Sequence, residues 1–182
     1  LSLHRQRLIA GVILVASFFG AAAVRVYNIN AAKLYFSSTS QYESFCIARQ
    51  FYFENTDRVA GWRRRVALAN NNMSVGRQPP ITEYLVSLVY RASGRESHWA
   101  PSLVSSVFWL IGGVFIFLTT RQFTSAVVAS IATGYYLFAP FGILMSRSIQ
   151  GESLMAMMFA AGVYFIFTYY RKQSTKNLLF AG

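Results

Sequence analysis

The strongest constraint on how this chain can fold is a set of long apolar runs separated by polar segments. The runs are residues 8–27, 102–118, 125–145 and 154–170. A helix rises about 1.5 Å per residue and the hydrocarbon core of a bilayer is about 30 Å thick, so each run is close to the length that crosses a membrane. Inside lipid the backbone must satisfy its own hydrogen bonds. We therefore predict an all-α fold, a polytopic transmembrane helix bundle.

The longest polar segment, residues 28–101, separates the first two runs. It is too aromatic to be disordered. Residues 41–53 have the periodicity of an amphipathic helix, and residues 81–90 are predicted as a second helix that follows Pro80 and ends before Gly94. Neither is long enough to cross a bilayer, so we predict that the segment is an outer loop carrying juxtamembrane amphipathic helices.

A short polar segment, residues 146–152, lies between the third and fourth runs and contains Arg147 and Glu152. A charge at the membrane edge must be solvated, paired or functional. Arg147 could simply extend its guanidinium to the headgroups, and Glu152 could be an acid favoured by a helix N-terminus. The segment is therefore a candidate site whose ordinary structural explanation stays open.

Composition supports a membrane protein. The chain is 54% hydrophobic and 13% charged, with a mean hydropathy of +0.37 and a net charge of +11. In a membrane chain, arginine-rich segments favour lipid headgroups or lipid-linked phosphates over nucleic acid, because the guanidinium binds phosphate through two parallel hydrogen bonds. The lone Cys46 excludes an intrachain disulfide. Because the chain opens on Leu1 and ends in an apolar stretch, we expect the N-terminal part of a longer protein.

The basic residues of the short segments predict the orientation. If the chain has four spans, the basic residues of the short segments all fall on one side of the membrane, which is cytoplasmic by the positive-inside rule. These residues are His4, Arg5, Arg7, Arg121, Arg171, Lys172 and Lys176. Arg121 is placed in a turn at residues 119–124, and Arg25 is predicted to anchor the first span at the interface. The long loop and the 146–152 segment then share the outer face with all six acidic residues. We predict a multi-pass protein of the plasma or inner membrane, with its active face outside the cytoplasm.

These residues together resemble the polyprenyl-phosphate-dependent glycosyltransferases of the GT-C superfamily. Four features in order carry the likeness: a first span ending in Arg25-Val26-Tyr27, Glu43 early in a long outer loop, Pro79-Pro80 before a short helix, and Arg147 with an acid nearby between the third and fourth spans. The resemblance covers nearly the whole chain and implies an inverting transfer of a sugar from a polyprenyl-phosphate-linked donor to a protein or lipid acceptor. Such an enzyme belongs to protein glycosylation or the cell envelope.

Two branches of that superfamily are similar to this chain. One is the protein-mannosyltransferase and aminoarabinose-transferase type, where the loop motif is usually Asp-Glu and a Lys often precedes Pro-Pro. Here Tyr42-Glu43 and Gln78 stand at those positions, with Arg77 one residue earlier. The other is the oligosaccharyltransferase catalytic subunit, which the 146–152 segment resembles, although only one acid follows. The loop length and the Pro-Pro helix favour the first branch.

The resemblance assigns roles to five residues. Glu43 is the candidate base that takes the acceptor proton, against the ordinary interpretation of a first-turn glutamate. Arg147, Arg77 and Gln78 are candidates to bind the donor phosphate. Glu152 would orient Arg147 or the acceptor, and only in the oligosaccharyltransferase-like branch would it help to hold Mg²⁺ or Mn²⁺. By contrast, His98 and the run Arg63-Arg64-Arg65 are interpreted as membrane-surface residues rather than catalytic ones.

A different class of function stays open at this point. The chain could be a non-catalytic membrane subunit packed against other subunits of a larger complex, because aromatic helix faces suit neighbouring helices as well as lipid. A transporter is disfavoured, since no charge interrupts the middle of any run and a midplane site needs polar or broken helices. We expect no nucleic-acid partner.

The predicted orientation can be tested by cysteine labelling. In a Cys46→Ser background, a cysteine at Ser74 should react with a membrane-impermeant thiol reagent added outside intact cells. A cysteine at Gln173 should react only after permeabilisation, because both chain ends are predicted to be cytoplasmic. The opposite pattern would contradict the orientation.

Overall fold

The computed structural model describes residues 3–27, 29–30, 38–56, 61–69, 79–149 and 151–172. These residues form α-helices joined by turns and contain no β-strand, which confirms the predicted all-α fold. In chain order the helices are α1 (Leu3–Val26), α2 (Ser38–Glu54), α3 (Gly61–Ala69), α4 (Ile81–Ser93), α5 (Trp99–Phe123), α6 (Ala126–Phe138), α7 (Pro140–Met145) and α8 (Glu152–Lys172).

The chain divides into two compact units. One, here called the bundle unit, comprises Leu1–Tyr27, Ser106–Ser146 and Glu152–Gly182. The other, the loop unit, comprises Asn28–Ser105 and Arg147–Gly151. The long helix α5 therefore contributes its first turns to the loop unit and the rest to the bundle unit.

Within the described ranges, three helices are long and apolar enough to cross a membrane: His4–Val26, Trp99–Phe123 and Glu152–Arg171. They make this an integral membrane protein. The predicted run at residues 125–145 is interrupted: α6 is apolar but has only 13 residues, and α7 begins at Pro140. The break follows because proline has no N–H and clashes with the preceding helical turn. The four-span arrangement itself stays a prediction.

The predicted turn at residues 119–124 is wrong, because α5 continues to Phe123. The hydroxyls of Thr119 and Thr124 donate back to carbonyls four residues earlier, at 2.8 and 2.9 Å. These polar side chains are thus satisfied by the local backbone and need no water-exposed loop. Ser125 then begins α6, its hydroxyl accepting from the N–H of Val128.

Small residues allow α1 and α6 to approach closely in the bundle unit. A side chain at Gly20 would meet the Phe138 ring at 3.1 Å, and one at Gly134 would meet the Ser17 hydroxyl at 3.2 Å. The Ser130 hydroxyl also donates to the Ala10 carbonyl at 3.0 Å. Small residues and interhelical hydroxyl bonds are the usual means by which helices associate in lipid, where hydrophobic burial between helices contributes little.

Arg25 is not the exposed interface anchor that the sequence predicted. Its side chain is only 1% exposed. The guanidinium donates to the Ser146 hydroxyl at 2.8 Å, to the Leu137 carbonyl at 3.0 Å and to the Ala21 carbonyl at 3.1 Å. Leu137 stands at the end of α6, where carbonyls lack partners within the helix and the dipole is negative. Ser146 follows the last residue of α7 and accepts through its side-chain hydroxyl. The helix ends, rather than headgroups, therefore satisfy this charge.

The loop unit has its own core between α2 and α4. Buried Ala48, Tyr52 and Phe53 of α2 pack with Val86 and Tyr90 of α4. Gly94 ends α4 with a φ of 69°, and its N–H donates to the Arg91 carbonyl at 3.2 Å, as the sequence predicted. The helices predicted at residues 41–53 and 81–90 are thus both present and slightly longer, whereas α3, which contains the arginine run, was not predicted.

A glycine of α7 provides a stability test of the bundle unit. Any Cβ at Gly142 would overlap the indole ring of Trp109, which is itself stacked on Tyr136 at a ring separation of 4.7 Å. Gly142→Ala should therefore lower stability by about 1–3 kcal/mol, the usual cost of overpacking. The matched control is Gly11→Ala, where nothing lies within 4 Å and alanine favours the helix. Thermal unfolding in detergent measures both; equal melting temperatures would contradict the packing described.

Candidate functional site

The candidate base, Glu43, lies exposed on α2 of the loop unit. Because α2 begins at Ser38, Glu43 lies beyond the first turn, and that turn contains no acidic residue. The ordinary explanation of a glutamate stabilised by the first turn of its helix therefore does not hold. An accessible carboxylate at this position could reach an acceptor hydroxyl.

A second acid, Glu83, lies next to this part of α2. The Ser44 hydroxyl donates to its carboxylate at 2.7 Å and so ties α2 to α4. Glu83 is 9% exposed and stands in the first turn of α4, where the helix dipole favours its negative charge. We assigned it no role from the sequence, although an acid three residues after Pro80 was a signal for a buried, oriented carboxylate.

Arg147 is half-buried between two buried neighbours, in a turn whose backbone accepts hydrogen bonds from α5. The Ser102 hydroxyl donates to the Arg147 carbonyl at 2.9 Å, and the Ser105 hydroxyl donates to the Ser148 carbonyl at 2.6 Å. The side chain of Ile149 is buried in the core of the loop unit. These contacts hold the candidate phosphate-binding arginine on a defined backbone rather than on a free loop.

The five predicted site residues do not all fall in one place. Glu43 and Arg147 belong to the same compact unit. Glu152 is exposed in the first turn of α8 and belongs to the bundle unit, a position that the helix dipole alone would favour. Arg77 and Gln78 lie outside the described residues.

The alternative role of Glu152 as a metal ligand finds no support in its surroundings. Across the part of the chain that the structure describes, no three His, Cys, Asp or Glu side chains are grouped as ligands of one ion. A divalent cation needs several oxygen ligands, most of them from the protein or from a bound substrate. We therefore derive no step of the chemistry through a metal.

The loop unit also contains a cavity of about 620 Å³ that the sequence did not predict. Its walls include Arg49 of α2, Arg63 of α3, and Arg95, Glu96 and His98 after α4. Arg49 and Glu96 form an ion pair at 2.5 Å. Arg63 and His98, interpreted above as membrane-surface residues, thus face a shared concave surface.

Tyr90 lines the same cavity, and burial raises the pKa of its phenol from 10.0 to about 12. Arg49 opposes the increase in pKa, while the negative charge of Glu96 adds to it. A tyrosine of ordinary pKa is already neutral at physiological pH, and burial moves its ionisation still further away, so the phenol can donate a hydrogen bond.

Comparison with known protein families gives a match over the second part of the chain. The sequence model of the family described as dolichyl-phosphate-mannose-protein mannosyltransferase matches residues 77–182, which include α4 to α8 and the Arg147 turn. No curated protein matches, and no solved structure matches. The matched residues make up more than half of the chain. The sequence resembled two branches of the GT-C superfamily, and the matched family corresponds to the protein-mannosyltransferase branch. The chain therefore belongs to the dolichyl-phosphate-mannose-protein mannosyltransferase family, which confirms the predicted GT-C superfamily membership.

Proposed function

We propose that this protein transfers a sugar from a polyprenyl-phosphate-linked donor to a protein or lipid acceptor at the outer face of the membrane. The observation that carries the proposal is the family match over residues 77–182. That family uses donors of this class and acts in a membrane. The membrane-spanning helices of this chain fit the same setting, since a polyprenyl chain is soluble only in lipid.

The reaction needs a base, a group that stabilises the departing phosphate, and exclusion of water. The acceptor hydroxyl oxygen attacks the anomeric carbon of the sugar, and its proton passes to Glu43. The bond between that carbon and the phosphate oxygen breaks, and the electron pair leaves with the phosphate. Attack from the face opposite the phosphate inverts the anomeric configuration.

Arg147 is the residue to which we assign the departing phosphate, together with Arg77 and Gln78 on the segment before Pro79. A guanidinium binds phosphate through two parallel hydrogen bonds and keeps its charge at any physiological pH. The hydrogen bonds from Ser102 and Ser105 to the Arg147 turn support this role. A positioning scaffold of this kind lowers the cost of orienting a charged group when the reaction begins.

Glu83 is a second acidic residue with a role near the proposed base. Its hydrogen bond from Ser44 lies beside the backbone of Glu43 and ties that part of α2 to α4. We assign Glu83 a positioning role, in which it holds the α2 segment that presents the base. The outer location of these residues follows from the predicted orientation, with spans at about residues 8–27, 102–118, 125–145 and 154–170 and an outer loop at residues 28–101.

The assigned base makes a direct prediction. Glu43→Gln keeps the size and polarity of the side chain and removes its ability to accept a proton. Transfer of sugar from a polyprenyl-phosphate-mannose donor should fall by ~10²–10⁴-fold, while donor binding should be unchanged. Glu54→Gln, another exposed acid on α2, is the matched control and should keep full transfer. If Glu43→Gln transferred at the wild-type rate, Glu43 would not be the base, and the non-catalytic subunit would become the better interpretation.

Substitution of Arg147, the assigned phosphate ligand, should affect donor binding rather than proton transfer. Arg147→Ala removes charge-assisted hydrogen bonds to the donor phosphate, so donor affinity should fall by about tenfold or more. The matched control is Arg121→Ala, since Arg121 is exposed at the end of α5, where its guanidinium donates to the Thr124 carbonyl at 2.9 Å. Donor affinity and single-turnover transfer should be measured separately. Unchanged donor affinity in Arg147→Ala would contradict the assignment.

A further inference from the structure

The cavity of the loop unit combines positive charge with aromatic walls. Its volume of about 620 Å³ lies within the range of roughly 300–1,000 Å³ that is common for small-molecule sites. Phe45, Tyr52, Phe53, Trp62 and Tyr90 supply the aromatic surface. The arginines that line it come from α2, from α3 and from the segment after α4. They are therefore not simply neighbours on one charged helix face.

The charges of the described walls do not cancel. Arg49, Arg63 and Arg95 face a single carboxylate, that of Glu96, which pairs with Arg49. Side chains of this ion pair are 51% and 23% exposed, so the pair is only weakly stabilising and its arginine can also bind an anion. Two positive charges thus remain in the cavity, on Arg63 and Arg95.

The neighbouring groups add donors without adding negative charge. The Tyr90 phenol is protonated at physiological pH, as a tyrosine ordinarily is, and burial raises its pKa further. Arg63 lies 5.4 Å from the centre of the Trp62 ring, and stacking of this kind limits the directions in which the guanidinium can point. Guanidinium groups that line one cavity together with a neutral hydroxyl donor suit a tetrahedral phosphate, which has several acceptor oxygens.

We propose that this cavity binds the phosphate group of a phosphate ester, at a site separate from the one that holds the sugar donor. Neither Glu43, Arg147 nor Glu152 is among the described residues that line it. Its walls on α2 and α3 also precede the family match, which begins at residue 77. The ester is the headgroup of an anionic lipid or a soluble phosphate ester, since both present the same acceptor oxygens. The proposal does not depend on the transfer reaction.

Single charge removals in the full chain test the site. Arg63→Gln and Arg95→Gln should each weaken phosphate binding by about tenfold, the effect of one lost charge-assisted hydrogen bond, and the double variant should bind more weakly than either. Arg65→Gln is the matched control. It removes one positive charge from α3, the exposed helix that also carries Arg63, but Arg65 is not among the residues that line the cavity. Melting temperatures establish that all variants are equally folded.

Two arms of the experiment distinguish the sources of the phosphate. In zwitterionic detergent the probe is glycerol 3-phosphate, measured by calorimetry. In phosphatidylcholine vesicles the probe is phosphatidic acid at increasing mole fraction. Binding in both arms shows that a soluble phosphate ester is sufficient, whereas binding only in vesicles identifies a lipid headgroup as the ligand. Either result supports the site if Arg63→Gln and Arg95→Gln lose this binding. Absence of binding in both arms, or an equal loss in Arg65→Gln, overturns the proposal. Glu43→Gln should bind the probes normally, which separates this test from that of sugar transfer.

Discussion

A buried guanidinium is the interaction on which the bundle unit depends. Moving a charge out of water is costly unless hydrogen bonds replace its hydration. Arg25 meets this requirement by donating to Ser146, to Leu137 and to its own helix at Ala21. Because these acceptors stand at the ends of α7 and α6, the same contacts fix the end of α1 against both helices. The arginine thus orders three helix ends at once.

Serine hydroxyls of α5 donate hydrogen bonds to buried carbonyls at the turn that follows α7. Carbonyls of a non-helical turn in apolar surroundings need donors from elsewhere. In the bundle unit Ser106 donates to the Ser146 carbonyl at 3.0 Å. In the loop unit Ser102 and Ser105 donate to the carbonyls of the next two residues, Arg147 and Ser148. The backbone that carries Arg147 is therefore held by short polar side chains.

The loop unit carries many of the charged side chains of the chain and has a core of its own. Glu43, Arg49 and Glu83 stand on α2 and α4, and their positions are fixed because these helices pack on an aromatic core that also includes Ala100 from the start of α5. Family membership rests on residues 77–182, whereas the proposed base and two arginines of the cavity precede that range. Sugar transfer and phosphate-ester binding consequently rest on different residues of the chain.

The sequence by itself determined the class of fold, the family and most helices. Apolar runs long enough for a bilayer predict α1, α5 and α8, and Gly94 predicts the end of α4. These features depend on composition, on backbone stereochemistry and on residues close in the chain. Only the tertiary structure decided what the polar residues do. Arg25 and Ser146 lie 121 positions apart, and Ser44 and Glu83 lie 39 apart, so no local pattern could pair them. The cavity was missed for the same reason: its arginines come from three elements, and their convergence depends on how α2, α3 and α4 pack rather than on spacing along the chain.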